Sequence, residues 1–170
     1  MITHVLMYLL MFFTSSIYSF QINSSAANKI DFNDFRGKKM LLINIASGSE
    51  YVGQLEQLEQ LHQLYKDSLI IIAFPSNSFG NEPMNNMEID NFCRANYHTN
   101  FMIAEKNEVV SDGVQLVYNW LALKSENGIC DTRVADDFQK FLIDNNGMLK
   151  GIFSPSVNPM SYELKRYIDN

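Results

Sequence analysis

The stretch at 40–64 constrains this chain more than any other: an apolar run, MLLINI, delivers Ala46-Ser47-Gly48-Ser49 directly to a leucine-rich segment. With Gly37, Lys38 and Lys39 before it, the run reads as a short strand buried on both faces. A helix follows, because from Val52 onward Leu55, Leu58, Leu61 and Leu64 recur every third residue. At about 100° per residue such a stripe winds across half the helix circumference, which a covering sheet would bury. A buried strand that feeds a small-residue turn into a helix N-terminus builds a place where backbone N–H groups and the helix dipole favour negative charge. Ser49 occupies that place and reads as the N-cap of the leucine helix, its oxygen accepting from an orphan N–H.

The rest of the chain supplies partners for this unit. LIIIAF at 69–74 is a second continuous apolar run, so strand, helix and strand form a right-handed parallel unit. A polar Gly/Pro/Asn-rich loop at 75–86 follows, at the sheet edge where open α/β folds place their sites. Asn85 and Glu88 form a capping-box pattern that opens a helix through about Asn96. Residues 101–103 are extended, and 116–123, around Trp120, form a short helix. Asp144-Asn145-Asn146-Gly147 between the apolar runs 141–143 and 148–153 is a strong hairpin signal, and Asn158-Pro159 predicts the start of a last helix. At the other end, SIYSFQI at 16–22 reads as a strand returning through Ile30-Asp31-Phe32. The whole is an α/β chain with a thioredoxin arrangement: a central mixed sheet flanked by helices.

The chain has 170 residues, enough for one core, and a net charge of -6 with no basic run. That balance argues against nucleic acid and anionic membrane surfaces as partners, since clustered Lys and Arg carry such affinity. Two cysteines, Cys93 and Cys130, give no metal-binding spacing and at most one internal disulfide. VLMYLLMFF at 5–13 is too short to span a bilayer and is followed by Thr14-Ser15-Ser16, so residues 1–15 read as a signal peptide cleaved somewhere in 14–19, leaving 16–170 as an exported domain. Met1-Ile2-Thr3-His4 carries no Lys or Arg, which keeps an uncleaved anchor or a different start as alternatives.

Several blocks, in order, resemble one family. They are SIYSF, DFRGKKMLLINIAS, FPSNSFG, EIDNFCRANYHTNF, VYNWL, DDFQKFLID and FSPSVNP. Together they resemble the glutathione peroxidases in their bacterial and fungal thiol-peroxidase form. In that family a cysteine or selenocysteine in the turn after the first buried strand attacks the peroxide O–O bond, assisted by a Gln, a Trp and an Asn. The resemblance places these four positions on Ser49, Ser78, Asp136 and Asp137, all substituted. A further cysteine of the FPxN segment is replaced by Ser76, and the resolving cysteine of thiol-type members falls on Cys93.

The resemblance thus implies a peroxidase fold, no metal and no cofactor, and a thioredoxin-like thiol reductant or an unidentified protein as partner. A thiol reaches a pKa of roughly 3.5–7.5 beside a helix N-terminus, whereas a serine hydroxyl cannot and forms no sulfenic acid. Loss of hydroperoxide reduction is the expectation. Two alternatives remain at this stage: a weak thiol peroxidase working through Cys93, and a cation- or ligand-binding module using Glu50, Asp136 and Asp137. A Cys93–Cys130 disulfide is compatible with an exported chain. A serine hydrolase has no well-placed partner among His4, His62 and His98.

Overall fold

Lys39–Ile45 (β3) lies at the centre of a five-stranded sheet in the computed structural model, which describes residues 15–110 and 114–170. The apolar leader at 5–13 lies outside the described residues. β3 pairs in parallel with Leu69–Pro75 (β4) and antiparallel with Lys140–Ile143 (β6). Met102–Ile103 (β5) extends the sheet beyond β4, and Leu149–Phe153 (β7) extends it beyond β6, giving the order β5-β4-β3-β6-β7. A separate small hairpin joins Gln21–Asn23 (β1) to Lys29–Asp31 (β2).

Two apolar layers follow from the two faces of β3. Met40 and Leu42 pack with Ile72, Phe74, Phe141, Tyr118 and Trp120 on one side. Leu41, Ile43 and Ile45 pack on the other with Ile71, Ala73 and Leu142, and against Leu55, Leu58 and Leu61 of the helix Gln54–Leu64 (α1). Leu64 is 59% exposed. Nine residues at about 100° each place it half a turn from Leu55, so the period-three stripe has wound off the sheet by then. Asn86–Tyr97 (α2) opens with the predicted capping box, Asn85 accepting from Met87 and Glu88 while Glu88 accepts from the Asn85 N–H. Leu116–Ala122 (α3) covers the first layer and leads into the short Lys124–Asn127 (α4), and Tyr162–Asp169 (α5) closes the second layer.

Three local expectations are corrected. Ile17–Ser19 is a 3-10 turn rather than strand, because Ser16 accepts from the Tyr18 N–H and the chain pairs only from Gln21. The last helix starts at Tyr162, since Ser161 accepts from Leu164 N–H as its cap, and Pro159 sits in the preceding turn. α1 begins at Gln54 behind Gly53, so Ser49 is not its cap.

The β6–β7 turn requires its glycine. Gly147 has φ +81°, and a Cβ there would stand 2.5 Å from the Tyr18 ring, which also lies under the Arg36 guanidinium at 4.2 Å. Gly147→Ala is expected to destabilise the chain by about 2–5 kcal/mol, from a left-handed backbone cost of about 1–2 and overpacking of about 1–3. Urea unfolding reads this as a lower midpoint at unchanged slope. An unchanged midpoint would mean that Tyr18 yields freely.

Candidate functional site

The parallel β3 and β4 both end, and the antiparallel β6 begins, at one edge of the sheet, so topology brings the Ser49 turn, the Ser78 loop and the 136–138 segment to the same end. Ser49 is 6% exposed, and its Oγ accepts from the Tyr51 N–H at 3.2 Å. Its carbonyl accepts from the Val52 N–H at 3.1 Å. Ser49 therefore organises a tight turn four residues before Gly53, at which the helix starts, and does not cap it.

Gly48 is required for a close approach. Its N–H donates to the Asn81 carbonyl at 2.9 Å, and a Cβ would lie 2.8 Å from that oxygen. The Asn81 side chain in turn donates to Asp137 Oδ2 at 2.7 Å. Asn81 thus bridges the Ser49 turn to the segment before β6. Behind the turn, the buried Glu82 accepts from Ser47 N–H at 2.7 Å, Ser47 Oγ at 2.8 Å and Met84 N–H at 3.2 Å.

Asp137 is fully buried, and its second carboxylate oxygen, Oδ1, has no partner. Burial pushes its pKa up, the Asn81 hydrogen bond opposes this, and the charges of Asp136 and Glu82 push the same way as burial. Asp136 accepts from the Asp137 N–H, and together with Glu50 it raises the Tyr51 phenol, Glu50 acting most strongly. The turn is therefore surrounded by carboxylates. Among the described residues, no group of three or more His, Cys, Asp or Glu side chains is placed to hold a metal ion.

Ser78 is committed elsewhere. Its Oγ donates to Glu108 at 2.5 Å and accepts from the N–H groups of Val109 and Val110, tying the 108–110 loop. Ser76, fully buried, donates to the same oxygen at 2.9 Å. The two serines thus tie the 76–78 loop to residues 108–110.

Cys93 faces the second apolar layer from α2, 1% exposed. Burial pushes its thiol up to about 12, assisted by the charges of Glu82 and Asp90 and opposed by Arg94. Cys130 lies half-buried beyond α4, and both thiols are free. Burial and a raised pKa both keep the Cys93 thiol in its protonated, less reactive form.

Sequence reasoning missed Asn44, Asn81 and Lys140. Asn44 is buried in β3; its Nδ2 donates to the Asp136 carbonyl at 3.0 Å, and its own carbonyl accepts from Phe138 N–H at 2.7 Å. These bonds hold Phe138 at φ +64°, an uncommon conformation for a bulky residue and one that marks designed local geometry. A lone amide interrupting the apolar run MLLINI and a lysine directly preceding the apolar run FLI were the available signals for Asn44 and Lys140.

Comparison with known proteins agrees with this architecture. A family model described as Glutathione peroxidase matches residues 17–122. Glutathione peroxidase-like peroxiredoxin 2 of Saccharomyces cerevisiae is 32% identical over 88% of this chain and 94% of its own length. Glutathione peroxidase homolog BsaA of Bacillus subtilis is 30% identical over 87% and 94%. Among solved structures, "Crystal structure of Trgpx in apo form" superposes with a TM-score of 0.69 at 26% identity, covering 92% of this chain and 97% of that one. A thioredoxin-family thiol:disulfide interchange protein from Chlorobium tepidum reaches a TM-score of 0.66 at 11% identity, a likeness of fold. Matched over most of its length by the family model and by full-length relatives, and sharing their thioredoxin fold, the chain belongs to the glutathione peroxidase family.

Proposed function

We propose that this chain is an exported glutathione peroxidase relative that has lost hydroperoxide reduction and serves as a binding module. The observation that carries the reading is Ser49: the hydroxyl at the attacking position is nearly buried and occupied by the Tyr51 N–H. An alcohol there cannot enter the thiol oxidation ladder. Ser78, Asp136 and Asp137 support the same reading, since the first is bound to a loop and the other two place carboxylates where an anion would have to form. The alternative of a peroxidase working through Cys93 is disfavoured by its burial and raised pKa.

The test is an assay of the mature protein with organic hydroperoxide and either thioredoxin or glutathione as reductant. The expected result is no saturable turnover and a rate no greater than that of an ordinary free thiol. Saturation kinetics would overturn the proposal, and their loss in Cys93→Ser would move the activity to Cys93. The acidic surround also leads us to expect no saturable glutathione binding in the millimolar range, because the tripeptide's carboxylates would meet like charge.

Export has its own measurement. Trp120 donates its indole N–H to the Ser15 carbonyl at 2.6 Å, Ser15 Oγ donates to Glu126, and Ile17 is fully buried. A mature chain starting after Ile17 would lose a core side chain. The expected mature N-terminus therefore lies between Ser15 and Ile17, read by N-terminal sequencing of native material. A full-length, membrane-bound product would instead make this a tethered protein.

A further inference from the structure

Lys140 is a lysine where an apolar side chain would fit. It sits in β6 between Ile43 of β3 and Phe153 of β7, fully buried. Its Nζ donates to the Phe138 carbonyl at 2.8 Å and to the Pro155 carbonyl at 3.2 Å. The Pro155 carbonyl also accepts from Gln54 Nε2 at 2.8 Å, in the first turn of α1. One amine therefore ties together the left-handed Phe138 behind Asp136-Asp137, the exit of β7 and the start of the leucine helix.

The donor count fits an uncharged amine. A neutral amine has two N–H bonds, and two carbonyls take them, whereas an ammonium brings a third N–H and a full charge into a site that offers no carboxylate. Asp137, three residues upstream, has turned its carboxylate to Asn81. No charged group of β3, β7, α1, α5 or the 136–138 segment offsets the burial, which alone pulls the amine down to about 7.

We propose that Lys140 is a proton-operated latch on the segment that carries Asp136 and Asp137: uncharged, it holds Phe138, Pro155 and α1 together; charged, it draws in water and releases the segment. The latch rests on the geometry of β6 and not on the loss of peroxidase activity, so the two readings stand or fall separately. An amine that is charged when unfolded and neutral when folded makes the unfolded state bind more protons. Stability is then fully present above the ordinary lysine range and is lost as pH falls toward 7, about tenfold in the folding constant per pH unit. The window to measure is pH 7–9, below the range in which the buried Cys93 thiol contributes with the opposite sign.

The experiment follows the lysine side-chain carbons of the full mature chain by NMR, with amide exchange read alongside from pH 6 to 9. One lysine signal, absent in Lys140→Met, should titrate near 7, well below the ordinary lysine range. Amide protection at 137–139, corrected for intrinsic exchange, should fall tenfold or more between pH 9 and 7, and β4 amides that exchange only on global unfolding should fall with it in the wild-type chain. Lys140→Met should flatten this dependence, and Lys140→Arg should show the low-pH exchange at pH 8. A Lys140 signal that titrates with the other lysines, or protection at 137–139 that is level across the range, overturns the proposal even where neither variant folds.

Discussion

Ser49→Cys alone is expected to yield a reactive thiol but hydroperoxide turnover no better than that of a free cysteine, and Ser49→Cys with Asp136→Trp and Asp137→Asn is expected to exceed it by about 10²–10³, the usual worth of an oriented polar group at a developing charge. The reason lies in what surrounds the turn. A thiolate at position 49 would have the Tyr51 N–H as a donor, but Glu50, Asp136 and the buried Asp137 all oppose negative charge there. Asp137→Asn removes a buried carboxylate with one oxygen unpartnered, and an amide can still accept from Asn81. Ser78→Gln is expected to add least. The serine it replaces binds Glu108, Val109 and Val110, so the loop must find another tie before a glutamine could turn toward the site. Steady-state kinetics on the series decides. Full turnover from the single substitution would show that the missing partners matter little on this scaffold.

Cys93 is expected to react with a thiol-directed reagent at least about a thousandfold more slowly in the native chain than in the unfolded one at pH 7. A rise from 9.0 to about 12 lowers the thiolate fraction by three powers of ten, and the thiolate is the attacking species. Burial against the second apolar layer adds a steric barrier. Cys130, half-buried on the far side of α4, serves as the internal reference in the same mass-spectrometric time course. The raised pKa also fixes a sign: the neutral thiol is favoured by folding, so its contribution is complete below about pH 9 and is lost as pH rises toward 12. Equal labelling of both cysteines would return Cys93 to the list of redox candidates.

Much of the architecture could be read from periodicity. The runs at 40–45 and 69–74, the Asn85–Glu88 box and the Asn146-Gly147 turn are local patterns whose physics is complete within a few residues, and each appears in the structure within a residue or two. The site was legible only as positions. Which way Ser78 turns depends on Glu108, thirty residues away, and the state of Asp137 depends on Asn81, fifty-six away. No local pattern encodes such pairs. Ser49 is instructive in the same way: a serine before a leucine-rich helix has the composition of a cap, but four further residues of turn separate the two, and that turn is held at Gly48 by the Asn81 carbonyl, thirty-three residues away. Pro159 misled for a similar reason, because Ser161 offered a better cap two residues on.

The two sides of the sheet end differently from its middle. β5 pairs over only Ile72–Met102 and Ala73–Ile103, and the chain beyond it is closed by a single bridge from Ala104 to Ser24, where the β1–β2 hairpin turns. On the opposite side, the ladder between β6 and β7 slips at Leu142/Ile143, and β7 carries Lys150 and Gly151. A short stub under a hairpin and a slipped, lysine-bearing border are poor templates for an incoming strand. Neither border of the sheet, among the described residues, thus invites a neighbouring copy to add a strand, and strand-by-strand polymerisation is disfavoured although five of the seven described strands make one continuous sheet.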